Sequence, residues 1–198
     1  MPTFNRRAAS DYALAYALHY NPGFYDFKNL GTGGDCTNFV SQALLFGGWP
    51  MVFNPLVNWP WYAQPRPTLN QTIKDAVNSC SGSWRGAKQL AQFLYFSGRA
   101  EECSRKDLEV GDIVSLTADN FGKSVVHHMM VTKIEGTGIF LSYHSREMRN
   151  NPLDEVLKSV GSGQTYGSVI YWKILDHFKP REIGGVDHLK GLDPKYRR

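Results

Sequence analysis

The spacing of apolar residues changes at Leu108–Asp112, and that change constrains the fold more than any other feature of the chain. Upstream, apolar residues recur at helical spacing. A first helix is expected from Asn5 to Tyr20, stopped by Asn21-Pro22-Gly23, and a second begins at Cys36. Two more are expected over Gln71–Asn78 and Arg85–Ser97, the latter with Ser83 as cap and Gly98 as stop. Downstream, the LEVGD turn leads into a strand at Ile113–Leu116. The loop ADNFGKS, a strand from Val125 to Ile134, the turn Gly136-Thr137-Gly138 and a strand from Ile139 to His144 follow. A last strand covers Ser168 to Leu175. Helices first and an antiparallel sheet second is the α+β pattern. A chain of 198 residues can bury one good core, so a single domain is expected over 1–178. Residues 179–198 carry six Lys/Arg against three Asp/Glu and read as a basic, poorly ordered tail.

Because much of the net charge of +4 lies in that tail, the body is nearly neutral and offers no nucleic-acid-binding face. No stretch has the apolar length of a membrane span. The N-terminal MPTFNRRAASDYALAYALHYN is charged, lacks a cleavable apolar region and reads as an amphipathic helix. The chain as given therefore reads as cytoplasmic; export by a specialised system, or excision from a longer protein, are the alternatives. Oligomeric state is left open. Three widely spaced cysteines, Cys36, Cys80 and Cys103, make no disulfide framework. No close His or Cys pair has metal-ligand spacing, and the adjacent His127 and His128 point to opposite faces of a strand. Neither a metal nor an organic cofactor is expected.

Cys36 stands in GTGGDCTNFVSQALLFGG, residues 31–48, where a glycine-rich loop turns into a helix. Asp35 is its candidate N-cap, and Gly47 and Gly48 close it. A thiol in a first helical turn feels unpaired N–H groups and the positive end of the helix dipole, which favour the reactive thiolate. Gly33 and Gly34 leave room for a substrate backbone. A small core residue on an amphipathic helix is the competing reading. A cysteine nucleophile needs a base, usually histidine. His127, His128 and His144 share one expected hairpin, which can set one imidazole against the cysteine and a second behind it. Residues 49–67 hold five of ten prolines and three of five tryptophans. That loop is either packed on the core by its aromatics or forms one wall of a cleft through Trp59 and Trp61.

DCTNFVSQALLFGG, the tryptophan-rich loop, SGSWRGAKQLAQFL, LEVGDIVSL, HHMMVTK and LSYHS together resemble the bacterial putative amidase domain family, over roughly residues 8 to 175. That family is similar to the NlpC-type cell-wall peptidases among the papain-like cysteine hydrolases. The resemblance implies a cysteine helix packed on an antiparallel sheet that bears the histidine. Carried over, it puts the nucleophile on Cys36. The family's strand histidine stands five residues before a threonine; Thr132 then sets the base at His127, with His128 where the family often has a small residue. His144 is the implied orienting group, with Asn150 or Asn151 as alternatives. Asp35 and Gly34 would hold the loop and border the substrate, with the Cys36 N–H as oxyanion donor. The implied chemistry is hydrolysis of a peptide-like or peptidoglycan-derived amide through a Cys–His acyl-enzyme. Acyl transfer through the same intermediate, or a non-catalytic binding module on this scaffold, are the alternative readings.

Overall fold

The computed structural model describes residues 3–31, 34–53, 60–64, 72–120, 124–161 and 163–177; the basic tail 179–198 lies outside them. Helix α1 spans Arg6–Tyr16 and is capped by Asn5, whose side chain accepts from the Ala8 N–H. It stops four residues short of the expected Tyr20. Helix α2 is Cys36–Phe46, buried from Cys36 through Leu44. Gly48 adopts φ +96°, and its N–H bonds the Leu45 carbonyl at 2.9 Å, so the helix ends on a residue that takes positive φ without strain. Helix α3, Ile73–Asn78, carries a full capping box between Thr72 and Asp75.

The helix expected over 85–97 is present, and a short helix outside that expectation precedes it. Ser81 caps α4, Gly82–Arg85, the chain breaks at Gly86, and α5 runs over Ala87–Phe96. Ser83 does not cap; its hydroxyl turns to the Pro60 carbonyl and to Ser81. Glycine at the break bonds back to Gly82 while α5 sets off in a new direction.

Among the described residues the strands form one six-stranded sheet: β1 (Ala100–Glu102), β2 (Ile113–Thr117), β3 (Val125–Glu135), β4 (Gly138–Tyr143), β5 (Met148–Pro152) and β6 (Ser168–Ile174). Their order is β1-β6-β2-β3-β4-β5, with every pairing antiparallel. The protein is α+β, with its helices ahead of the sheet in sequence. A short helix α6, Leu153–Leu157, follows β5.

Alternation along β2 and β3 separates two apolar clusters. Ile113, Met130, Ile170 and Trp172 join the residues of α1, α2 and α5 on one face. Val114, Leu116, Met129, Val131 and Leu141 join Leu153 and Val156 of α6 on the other. Both faces of β2 are thus covered, and all five of its residues are buried. The aspartate of the LEVGD turn joins the layers. Asp112 accepts from the Arg6 guanidinium at 2.6 Å, from the Ile174 N–H at 2.9 Å and from the Glu109 N–H at 2.8 Å. A buried carboxylate with that many donors ties α1 to the β2 and β6 edges.

Candidate active site

Cys36 is the first residue of α2, so its N–H has no partner within the helix. The side chain is buried. Burial pushes the thiol pKa up, against the expectation that the helix terminus would lower it. The His128 main-chain N–H and the hydroxyls of Thr37 and Ser145 pull the other way without overcoming it, and Asp35 adds to the rise. Cys80 and Cys103 are also free, and burial raises each to about 11.

Asp35 occupies the N-cap position, yet its side chain caps nothing. It turns inward, fully buried, and accepts from the Phe27 N–H at 3.0 Å and the Asn38 amide at 2.8 Å. Its other oxygen meets His144 Nδ1 at 2.9 Å. His144 Nε2 donates to the Tyr16 carbonyl at 2.8 Å, and the ring lies between Phe39 and Tyr20. Both ring nitrogens of His144 are therefore engaged by Asp35 and α1, and neither is offered to His127. Asp35 likewise spends both carboxylate oxygens on Phe27, Asn38 and His144 and serves as an anchor for the loop. Two further ties fasten the segment ahead of Cys36 to the chain after β4. The Asp35 N–H donates to Ser145 Oγ at 2.8 Å, and Glu147 receives Lys28 at 2.6 Å and the Tyr20 hydroxyl at 2.6 Å. These two donors hold the Glu147 carboxyl down to about 2.

His127 and His128 point to opposite faces of β3, as alternation requires. His128 is fully buried on the helix side. Trp172 Nε1 donates to Ser115 Oγ at 2.9 Å, Ser115 meets His128 Nδ1 at 2.7 Å, and His128 Nε2 meets the Ala87 carbonyl at 2.8 Å. A carbonyl only accepts, so Nε2 carries the proton and Nδ1 takes the serine's. The ring is locked neutral, with a pKa lowered to about 4. His127 has no hydrogen-bond partner among the described residues, and burial alone lowers it to about 4. Its ring stands edge-on to Tyr143 at 5.3 Å. It lines a cavity of about 280 Å³ together with Tyr143, Ser145, Arg146, Asn151 and Glu155.

Trp61 is not a cleft wall. It is fully buried, stacked on Phe93 at 5.6 Å and packed on Trp84 at 4.9 Å, with Nε1 on Ser41 Oγ at 3.2 Å. A two-way backbone bridge between Val52 and Trp61 clasps the proline-rich loop at its ends and turns the indole into the core. Trp59 lies outside the described residues. Gly34 is exposed, and a Cβ there would collide with the Ser145 side chain; the glycine lets the loop close on β4's end. Ser145 was not singled out by sequence. It follows His144 directly, and its positive φ of 78° carries no compositional signal because serine is not favoured there. Asn150, with φ 53°, instead supports the sheet through Thr132 at 2.9 Å.

Among the described residues no three His, Cys, Asp or Glu side chains are grouped so as to hold a metal ion, and no helix is long and apolar enough to cross a membrane. No curated protein and no solved structure matches the chain. A family described as a putative amidase domain matches residues 3–168, the stretch from α1 to the start of β6, and the chain belongs to that family.

Proposed function

We propose that the protein is a cysteine-dependent amide hydrolase. Family membership supports amide hydrolysis in general. The observation that carries the finer reading is the junction of α2 and β3. The Cys36 sulfur is influenced by the His128 main-chain N–H. His127, on the face of β3 away from α2, presents a ring with no hydrogen bond among the described residues to a cavity lined by Ser145 but not by Cys36, so the base has to reach the sulfur past Ser145 for the reaction to proceed. In this reading Cys36 is the nucleophile and His127 the base. Both groups rest uncharged, the thiol because burial raises it and the imidazole because burial lowers it. The proton therefore leaves sulfur for the imidazole as the sulfur attacks the amide carbonyl. The carbonyl oxygen, becoming an oxyanion, is stabilised by the Cys36 N–H, which has no partner within α2. The imidazolium then protonates the leaving amine, and water, deprotonated by His127, releases the acid from the thioester. His144 and Asp35 hold the nucleophile's loop. Kinship with the papain-like, NlpC-type hydrolases is part of the same proposal, as is a peptide-like or cell-wall amide as substrate.

The test is turnover of a panel of peptide amides and peptidoglycan fragments by wild type and Cys36→Ala. Loss of several orders of magnitude in a folded variant is expected, with a thioester adduct on the wild-type chain by mass spectrometry. Near wild-type turnover by Cys36→Ala would overturn the cysteine mechanism.

A further inference from the structure

Ser145 is the residue where three lines meet. It is a non-glycine residue at φ 78°, a conformation that costs energy and persists only where the surroundings enforce it. Its oxygen accepts the Asp35 N–H at 2.8 Å, one residue before the thiol. It presses so closely on Gly34 that no side chain fits between them, and it lines the cavity that His127 enters. We infer that Ser145 is a positioning residue whose hydroxyl proton is directed at the Cys36 sulfur to stabilise the thiolate.

A hydroxyl has one proton and two lone pairs. The Asp35 N–H occupies a lone pair of Ser145 Oγ, which leaves the proton to be given away and fixes the side chain that gives it. The N–H bond also polarises the hydroxyl and strengthens it as a donor. The Asp35 N–H and the close approach to Gly34 place this side chain against the loop ahead of Cys36. Its influence favours the charged sulfur, in the same sense as the His128 N–H and the Thr37 hydroxyl. Among the titratable groups nearby, Asp35 on the thiol's own loop opposes ionisation, His128 of β3 reaches the sulfur through its main-chain N–H, and His144 and Arg146 flank Ser145 in sequence. Asp35 and His144 are paired with each other, and His128 is locked neutral, so the serine is the adjustable member of the set.

The inference rests on the reading of Cys36 as a nucleophile, but its test does not need a substrate. The pH dependence of iodoacetamide alkylation of Cys36, resolved from Cys80 and Cys103 by peptide mass spectrometry, reports the thiol pKa directly. Two variants remove the hydroxyl with opposite effects on the backbone: Ser145→Gly relieves the positive φ and Ser145→Ala keeps it. Both are expected to slow Cys36 alkylation at neutral pH about tenfold, as for a rise of one pKa unit, with Cys80 and Cys103 unchanged. Circular dichroism confirms that each is folded; should Ser145→Ala fail to fold, the glycine variant carries the test alone. An unchanged Cys36 profile in folded Ser145→Gly overturns the inference, and so does a shift in Ser145→Ala that Ser145→Gly lacks, which would assign the effect to backbone strain. An amide-turnover failure in the wild type leaves these alkylation profiles intact and counts against the proposed function alone.

Discussion

His127 and His128 are identical neighbours on one strand, and the sheet gives them opposite surroundings. On the helix face His128 is enclosed, and each ring nitrogen has a partner, Ser115 on one side and Ala87 on the other. On the other face His127 has burial but no hydrogen bond among the described residues, and an adjoining cavity. A buried polar group with every partner supplied is part of the structure. One left without partners beside a cavity retains its chemistry for something that enters. The same division runs through the rest of the molecule. The helix face has absorbed Asp35, His144, Asn38, Ser41 and Trp61 into closed networks. The far face, at the ends of β3 and β4, keeps Tyr143, Ser145 and Arg146 around open space.

The sharpest way to break this contrast is His127→Ala. If His127 carries the proton, kcat/KM on the true amide falls by about 10²- to 10⁴-fold, the usual range for a general acid–base group. Stability should fall by about 0.5–3 kcal/mol, from the lost packing of the ring against Tyr143 alone. Chemical denaturation and steady-state kinetics on the same preparation read both. Retained turnover would leave the face with the cavity no more reactive than the other.

The reciprocal substitution is His128→Leu. It strips a partner from Ala87 O and leaves the Trp172–Ser115 chain without its acceptor, all among buried side chains. A loss of about 2–4 kcal/mol is expected from the groups left unsatisfied. The folded fraction should keep its kcat/KM, because the main-chain N–H that acts on Cys36 remains. If folded His128→Leu is inactive while His127→Ala is active, the two histidines exchange roles and the register drawn from Thr132 is wrong.

How legible this arrangement was depended on range. The α+β order, α2 and its glycine stop, and the β3–β4 hairpin follow from local periodicity and turn residues, and the structure has them. β1 was missed because Ala-Glu-Glu at a sheet edge has no alternation to read, and β5 because Met-Arg-Asn-Asn-Pro is polar throughout. Edge strands are set by the neighbour they pair with more than by their own composition. The short α4 was not legible because Gly-Ser-Trp-Arg is one turn long and has no repeat to read. At the site, Cys36 at a helix start was readable from GTGGDC. The Asp35–His144 pair was not, because it joins residues 109 apart and belongs to tertiary packing alone. Trp61 shows the same limit. Aromatic content marks a residue that packs, but the bridge to Val52 decides that it packs inward.

The smallest expected effect tests whether the His127 cavity is as dry as its neighbour's enclosure. Both rings are lowered to about 4, whereas an unfolded histidine titrates near 6.5. Between those values the unfolded chain binds protons that the folded chain refuses. Stability therefore rises with pH across that window, and is lost as the solution is acidified from 6.5 toward 4. Each such histidine contributes a slope of about 1.4 kcal/mol per pH unit where it is fully in effect. Asp35 works in the opposite sense, since burial raises its folded pKa and its contribution fades as pH rises. That contribution is common to wild type and His127→Gln and cancels between them. Glutamine keeps the size and removes the titration, so urea unfolding of His127→Gln at pH 7 and pH 5.5 should show a shallower acid loss than wild type, by up to about 1.4 kcal/mol over that interval. Equal losses in the two proteins would mean that His127 already takes up its proton in the folded state near pH 6.5. The cavity would then be wet, the ring would be cationic through the acid range, and the neutral thiol–imidazole start of the mechanism would give way to a charged one.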